Sequence, residues 1–337
     1  MLGATHTLCV TFLDCCTQPQ TNDMKIIFFG TPEFASRHLE ALVQSGMNIV
    51  ACVTKPDKPQ GRNLRLAPPD VKVVSEKLLP HVPIFQPEKC STPEFAELLR
   101  SFDADLFVVV AYGEIIKQHV LDIPKLGCIN VHASLLPAYR GAAPMQRALM
   151  NGEKETGVSI IRLVLKMDAG DVICKEVLPL NESITLPELE EALCRLGCKA
   201  LLEAIDKLAR GSVCPEKQDE SLVTYAEKIT PEECQINWRR KAEEVHNLIR
   251  AVTPSPGAWC YVLHRGQKKR LKILSSERYR DIHQSPQSML LLENGGLVVS
   301  CMTEGVSLLR VQLEGKQAMT IQELLRGIKP EDLSFEV

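Results

Sequence analysis

From Lys25 onward the chain alternates two hydrophobic patterns. The runs "KIIFFG", "NIVACVT", "ADLFVVVAYG" and "GCINVH" are short, nearly continuous in apolar residues and rich in β-branched and aromatic side chains, as strands buried on both faces are. Between them, "PEFASRHLEALVQSG", "ELLRSF" and "EIIKQHVLDIP" carry apolar residues at helical spacing, the first ending at Gly46. Strands separated by helices predict a mostly parallel sheet with helices on both faces, an open α/β domain. The long pattern "LPELEEALCRLGCKALLEAIDKLARG" predicts a helix to about Gly211, and the polar piece "SVCPEKQDESLVTYAEKIT" reads as a linker. Beyond Thr230, "KAEEVHNLIRAV" predicts a helix. The short runs "GAWCYVLH", "RLKILSS", "SMLLLENGGLVVSC" and "GVSLLRVQLEG" then predict a small β-barrel. The expected division is a first domain over 24–211, a linker over 212–230 and a barrel domain over 231–337, each domain with its own core.

Residues 1–23 stand apart. They hold no Lys or Arg, and their apolar piece "LCVTFL" is only six residues long, so neither a signal peptide nor an Arg-rich transit peptide fits. The expectation is a disordered or mis-annotated extension, with the folded chain starting at Met24.

Composition changes this picture little. The chain is 45% apolar, 24% charged and 5% aromatic with a formal net charge of −3, and it has no apolar run long enough for a bilayer, so no membrane partner is expected. The 13 scattered cysteines form no CxxC pair and suit reduced thiols in a cytoplasm. Cys194 and Cys198, four apart on the long helix, could supply half a metal site, but no second ligand pair lies near in sequence. They are read as buried free thiols, and no metal is expected. A basic stretch, Arg265 to Arg280, includes Lys268, Lys269 and Arg270. It is either a nucleic-acid surface or an edge strand guarded by lysines.

The chemistry lies at the strand ends. After the first strand comes "GTPEFAS", with one glycine and no GxGxxG, and no Walker-type loop occurs, so neither a nicotinamide nor another nucleotide cofactor is expected. Instead the strand "GCINVH" carries Asn130 and His132 two residues apart, so both side chains point to one face. An amide N–H and a charged imidazole can donate to an oxygen that gains charge as a carbonyl is attacked. Downstream, "KMDAGDVI" offers Asp168, a carboxylate that could orient His132 and pass protons. This is the equipment of an acyl-transfer site without an enzymic nucleophile.

"MKIIFFGTPEFA", "VTKPDKPQGR", "VVVAYGEII", "LGCINVHASLLPAYRGAAPMQRAL", "ETGVSI", "MDAGDV" and "LVTYAEKIT" follow one another as in the methionyl-tRNA formyltransferases, which the chain resembles from Met24 to its end. The resemblance implies a Rossmann-like formyltransferase domain using 10-formyltetrahydrofolate, an OB-like C-terminal barrel that helps hold initiator methionyl-tRNA, a monomer, and a bacterial cytoplasm. It implies Asn130, His132 and Asp168 as catalytic residues. Ser134, Leu135, Leu136 and Pro137 would be the tetrahydrofolate loop, with Tyr112 and Gly113 beside it. Lys58, Arg62 and Arg65 become tRNA contacts, together with Lys268, Lys269 and Arg270. Ala133 and Ala169 depart from the commoner Gly and Thr of the family, which touches loop geometry rather than the trio. A formyltransferase or hydrolase acting on a small molecule is the alternative; a non-catalytic RNA-binding protein is a rival that the intact trio disfavours.

Overall fold

The computed structural model describes residues 23–60, 65–282 and 284–336. The expected extension over 1–23, Asp23 excepted, and Arg62 lie outside the described residues.

The first sheet has seven strands, in the spatial order Val172–Pro179, Glu155–Arg162, Cys128–His132, Leu106–Val110, Ile26–Gly30, Ile49–Val53 and Ile84–Phe85. The five strands from Cys128–His132 to Ile84–Phe85 run parallel, and the other two add antiparallel at the edge. Because the parallel strands are buried on both faces, alternate residues enter different cores. Ile26 and Phe28 pack with the helices Glu33–Gln44 and Leu186–Ala209, whereas Ile27 and Phe29 pack with Leu99, Phe107 and Tyr112. The chain moves outward from the Ile26–Gly30 strand, then crosses back to its other side at Leu106–Val110. That reversal opens a crevice at the carboxyl ends of these strands, where open α/β sheets bind ligands.

The "EIIKQHVLDIP" segment departs from expectation, being helical only over Gln118–Leu121. Its start is held across the strand ends: Glu114 pairs with Lys55 at 2.6 Å and accepts the Cys90 N–H at 3.0 Å, while the Lys117 N–H donates to Ser91 Oγ. Burial would raise the Glu114 carboxyl, but these contacts outweigh it and hold it below the usual carboxylate range.

The C-terminal domain is a coiled antiparallel sheet, nearly closed into an OB-like barrel, in the order Met289–Leu291, Leu297–Ser300, Gly305–Leu313, Gln267–Tyr279, Ala258–His264 and Leu333–Glu336. Register shifts between Ile273 and Ser276 bend the long Gln267–Tyr279 strand around the domain. The two domains do not keep the separate cores expected. One buried cluster continues from Phe28 and Val131 through Leu149, Val245 and Ile249 into Leu271 and Val311. The helix Ala242–Val252 carries this continuity, packing on Pro144–Met150 from one domain and on the barrel from the other.

Candidate active site

The Cys128–His132 strand pairs in parallel with Leu106–Val110 and antiparallel with Glu155–Arg162, opposite whose far end the loop with Asp168 turns back into Val172–Pro179. This edge addition brings the two halves of the predicted trio together. His132 Nδ1 lies 3.6 Å from Asp168 Oδ2, with the two side chains only 6% and 14% exposed. The other ring nitrogen, Nε2, is 2.9 Å from the Tyr139 carbonyl oxygen. A carbonyl only accepts, so Nε2 carries hydrogen and Nδ1 faces the carboxylate. Asp168 Oδ2 also accepts the Gly141 N–H at 2.8 Å. Asn130 is half-buried, and among the described residues no group hydrogen-bonds its side chain. Of the trio, its amide is therefore the donor available to a ligand without rearrangement, while both nitrogens of His132 are already engaged.

Two glycines make this close packing possible. At Gly170 an added Cβ would sit 1.7 Å from the Arg162 carbonyl oxygen. Gly141 has φ +128° and would place a Cβ 2.6 Å from the Ala226 oxygen, so the chain needs glycine there for both conformation and approach. Asp168 itself sits in the left-handed region at φ +50°, as does Tyr139 at +63°.

The four residues of the expected folate loop divide by depth. Ser134 and Leu136 are buried and shape the loop: Ser134 Oγ donates to the Ala138 carbonyl at 2.7 Å, and Ser159 Oγ bridges the Ser134 carbonyl and the Leu136 N–H. Leu135 and Pro137 are half-buried, leaving their side chains reachable. Tyr112 is not a wall of the open crevice, because its ring is packed under the sheet against Phe29. Gly113 is exposed beside it, and the neighbouring Ile115, which sequence reasoning passed over, is 78% exposed.

Lys58 and Arg65 lie on a hairpin, Lys58–Gln60 with Arg65–Ala67, beyond the Ile49–Val53 strand. Its base is pinned by Asp57, which accepts from Lys72 at 3.0 Å and Gln86 at 2.7 Å. In the barrel the basic triad is split by strand alternation. Lys268 and Arg270 share a face, stacked on Tyr261 at 4.2 Å and Trp259 at 3.9 Å, while Lys269 turns to the face of Val262. Away from the crevice, His38 joins Cys194 and Cys198, one ligand atom from each lying within 4.8 Å of the others. The spacing of the two cysteines could not reveal this third member, which comes from another helix. Its Nδ1 is already 2.7 Å from the Phe34 carbonyl.

The polar segment read as a linker is built into the site. Tyr225–Ala226 pairs with Arg140–Gly141, and Glu216 exchanges two hydrogen bonds of 2.8 Å with Val172. Its composition suits a solvated linker equally well, so no sequence signal distinguished the two.

Comparison with known proteins agrees with this architecture. The formyl transferase family model matches residues 24–205, and the formyl transferase C-terminal domain model matches 228–329. The methionyl-tRNA formyltransferase of Protochlamydia amoebophila is 48% identical over 314 residues, covering 93% of this chain and 98% of that protein. That of Citrifermentans bemidjiense is 41% identical over 307 residues, covering 91% and 94%. Among solved structures, WlaRD, a sugar 3N-formyl transferase determined with dTDP and 5-N-formyl-THF, superposes with TM-score 0.63 at 19% identity, covering 87% of this chain and 99% of that one. HypX from Aquifex aeolicus in complex with tetrahydrofolic acid gives 0.62 at 17% identity, covering 90% and 47%. These two likenesses carry the fold alone. Family models over both domains, and relatives matched over nearly their whole length, lead to one conclusion: the chain belongs to the methionyl-tRNA formyltransferase family.

Proposed function

We propose that this chain transfers the formyl group of 10-formyltetrahydrofolate to the α-amino group of methionine on initiator methionyl-tRNA, supplying formylated initiator for translation. The observation that carries this reading is the open amide of Asn130 beside the His132–Asp168 pair, at the mouth of a parallel sheet. The neutral amine attacks the formyl carbon, a C–N bond forms and the carbonyl oxygen becomes an oxyanion, to which Asn130 donates. Collapse breaks the bond to folate nitrogen, which takes up a proton as the attacking nitrogen loses one. Asp168 and His132 are suited to that proton movement, their nearest atoms being 3.6 Å apart in a nearly buried pair. His132 joins the oxyanion contact only by giving up the Tyr139 carbonyl or turning Nδ1 from Asp168, so Asn130 is assigned the larger share.

The folate donor is assigned to the strand-end crevice bordered by Leu135, Pro137 and Gly113. The tRNA is assigned to the Lys58–Ala67 hairpin and to the Lys268 and Arg270 face of the barrel. The same reading makes the enzyme a monomer of the bacterial cytoplasm, with no membrane partner; among the described residues no helix is long and apolar enough to cross a membrane.

The test is transfer of labelled formyl from 10-formyltetrahydrofolate, with charged initiator and charged elongator methionine tRNA side by side. Formylation of the initiator alone is expected. Formate release without an acceptor, or transfer only to a small amine, would overturn the assignment. Asn130→Ala should lower turnover by about 10²- to 10³-fold, the usual cost of one oxyanion donor, and leave donor binding in place.

A further inference from the structure

The segment between the domains touches both halves of the catalytic pair. On one side, Glu216 bonds Val172, just beyond the Asp168 loop. On the other, Thr224 and Ala226 bond the loop that holds His132 and Asp168: the Tyr139 N–H donates to Thr224 Oγ1 at 2.8 Å, Arg140 N–H to the Thr224 carbonyl at 2.9 Å, and Ala143 N–H to the Ala226 carbonyl at 3.1 Å.

Between these anchors, Gln218 meets Asp168 directly. Its side-chain Nε2 donates to the carbonyl oxygens of Asp168 and Gly170, both at 2.7 Å, and its Oε1 accepts from Arg140 Nε at 3.0 Å. The amide orientation follows from its partners, since a flipped amide would face two carbonyls with an oxygen and a guanidinium with an NH₂. Arg140 is wholly buried, and its Nη2 donates to Glu220 at 2.9 Å, which Lys166 also contacts at 2.7 Å. Both hydrogens of the Gln218 amide thus fall on the short stretch whose first residue is the left-handed Asp168. Left-handed backbone at a non-glycine residue persists only when its surroundings over-determine it.

We propose that Gln218, oriented by the buried Arg140, is a positioning residue for Asp168, and that residues 216–226 are a strap holding the carboxylate against His132 and the Gly141 N–H. Among the described residues, Gln218 meets the Asp168–Gly170 stretch through backbone oxygens and otherwise the Arg140 guanidinium, so it acts through Asp168 and not on the substrate. The proposal rests on the catalytic role assigned to Asp168 above, and its test separates the two.

The experiment compares wild type, Gln218→Ala, Asp168→Asn and the double variant in full-length protein. Single-turnover formylation with enzyme in excess is read together with the KM for donor and the thermal midpoint. A misplacement near 1 Å costs about 10²-fold in rate, so Gln218→Ala should slow transfer by roughly that factor in wild type. In the Asp168→Asn background the same change should slow it by less than about 3-fold, because residues acting as one unit are non-additive. Donor KM should stay within about 3-fold of wild type, since no chemistry is lost from the crevice wall. Equal slowing in both backgrounds, or no slowing in either, overturns the strap. Asp168→Asn at the wild-type rate overturns instead the role of Asp168. Should Gln218→Ala not fold, Gln218→Glu enters the same cycle with the same expectation, because it keeps the side chain's shape and removes both donors.

Discussion

Replacing Gly141 by alanine tests whether the strap and the catalytic loop are held at the distance described. The added methyl would lie 2.6 Å from the Ala226 oxygen, about 0.8 Å inside the 3.4 Å at which ordinary contact begins. Nothing there can rotate aside, because the Ala226 carbonyl is backbone and already accepts from Ala143. The φ of +128° adds a conformational cost of about 1–3 kcal/mol, and forcing an overpacked contact adds about 1–3 kcal/mol more. Together they come to about 2–6 kcal/mol, and a central value near 4 kcal/mol corresponds to a thermal midpoint lowered by about 8–16 °C for a unit of this size. Relief by retreat of the loop would lengthen the 2.8 Å bond from the Gly141 N–H to Asp168 and slow formyl transfer by about 10-fold. Calorimetric or fluorescence melting gives the first quantity, and single-turnover formylation well below the midpoint gives the second. Gly266→Ala is the control, since φ is +73° there but nothing lies within 4 Å of the added Cβ. It should cost about 1–2 kcal/mol and leave the rate unchanged. A Gly141→Ala protein as stable and as fast as the Gly266→Ala protein would refute the close approach.

Two further outcomes follow from the domain junction and the basic surfaces. His246 is enclosed between domains, with ring nitrogens 3.0 Å from Ser276 Oγ and 3.1 Å from the Glu182 carbonyl. Burial, reinforced by Arg250 and Arg278 against the opposing Glu182 contacts, lowers it from its ordinary 6.5. The unfolded chain therefore binds the proton first, so stability is full above about pH 6.5 and declines as pH falls through and below that value. Urea unfolding of His246→Gln should have a shallower slope over that acid range, and an unchanged slope would rule the residue out. At the RNA surface, Lys58→Ala and Lys268→Ala should each reduce the log–log salt dependence of tRNA affinity by about 0.7–0.9 if they meet phosphate. A variant with the wild-type slope has no phosphate contact.

Much of this was legible in the chain because it depends on local periodicity. The alternation of "KIIFFG" and its successors with helical segments requires a parallel sheet, and the period of two along "GCINVH" requires Asn130 and His132 to share a face. Tertiary structure alone decided that Asp168 reaches His132, because this depends on two antiparallel strands adding at the sheet edge. It also decided that Tyr112 turns under the sheet, that Lys268 and Arg270 stack on aromatics while Lys269 does not, and that one core crosses both domains. Residues 212–230 show the limit most clearly. A polar segment is a linker or a strap according to what it meets, and Gln218 meets Arg140, 78 residues earlier, and Asp168, 50 residues earlier. Hydrogen bonds to distant partners leave no periodic trace in composition, so the chain's pattern determined the sheet and the face that Asn130 and His132 share, and only folding determined what holds them in place.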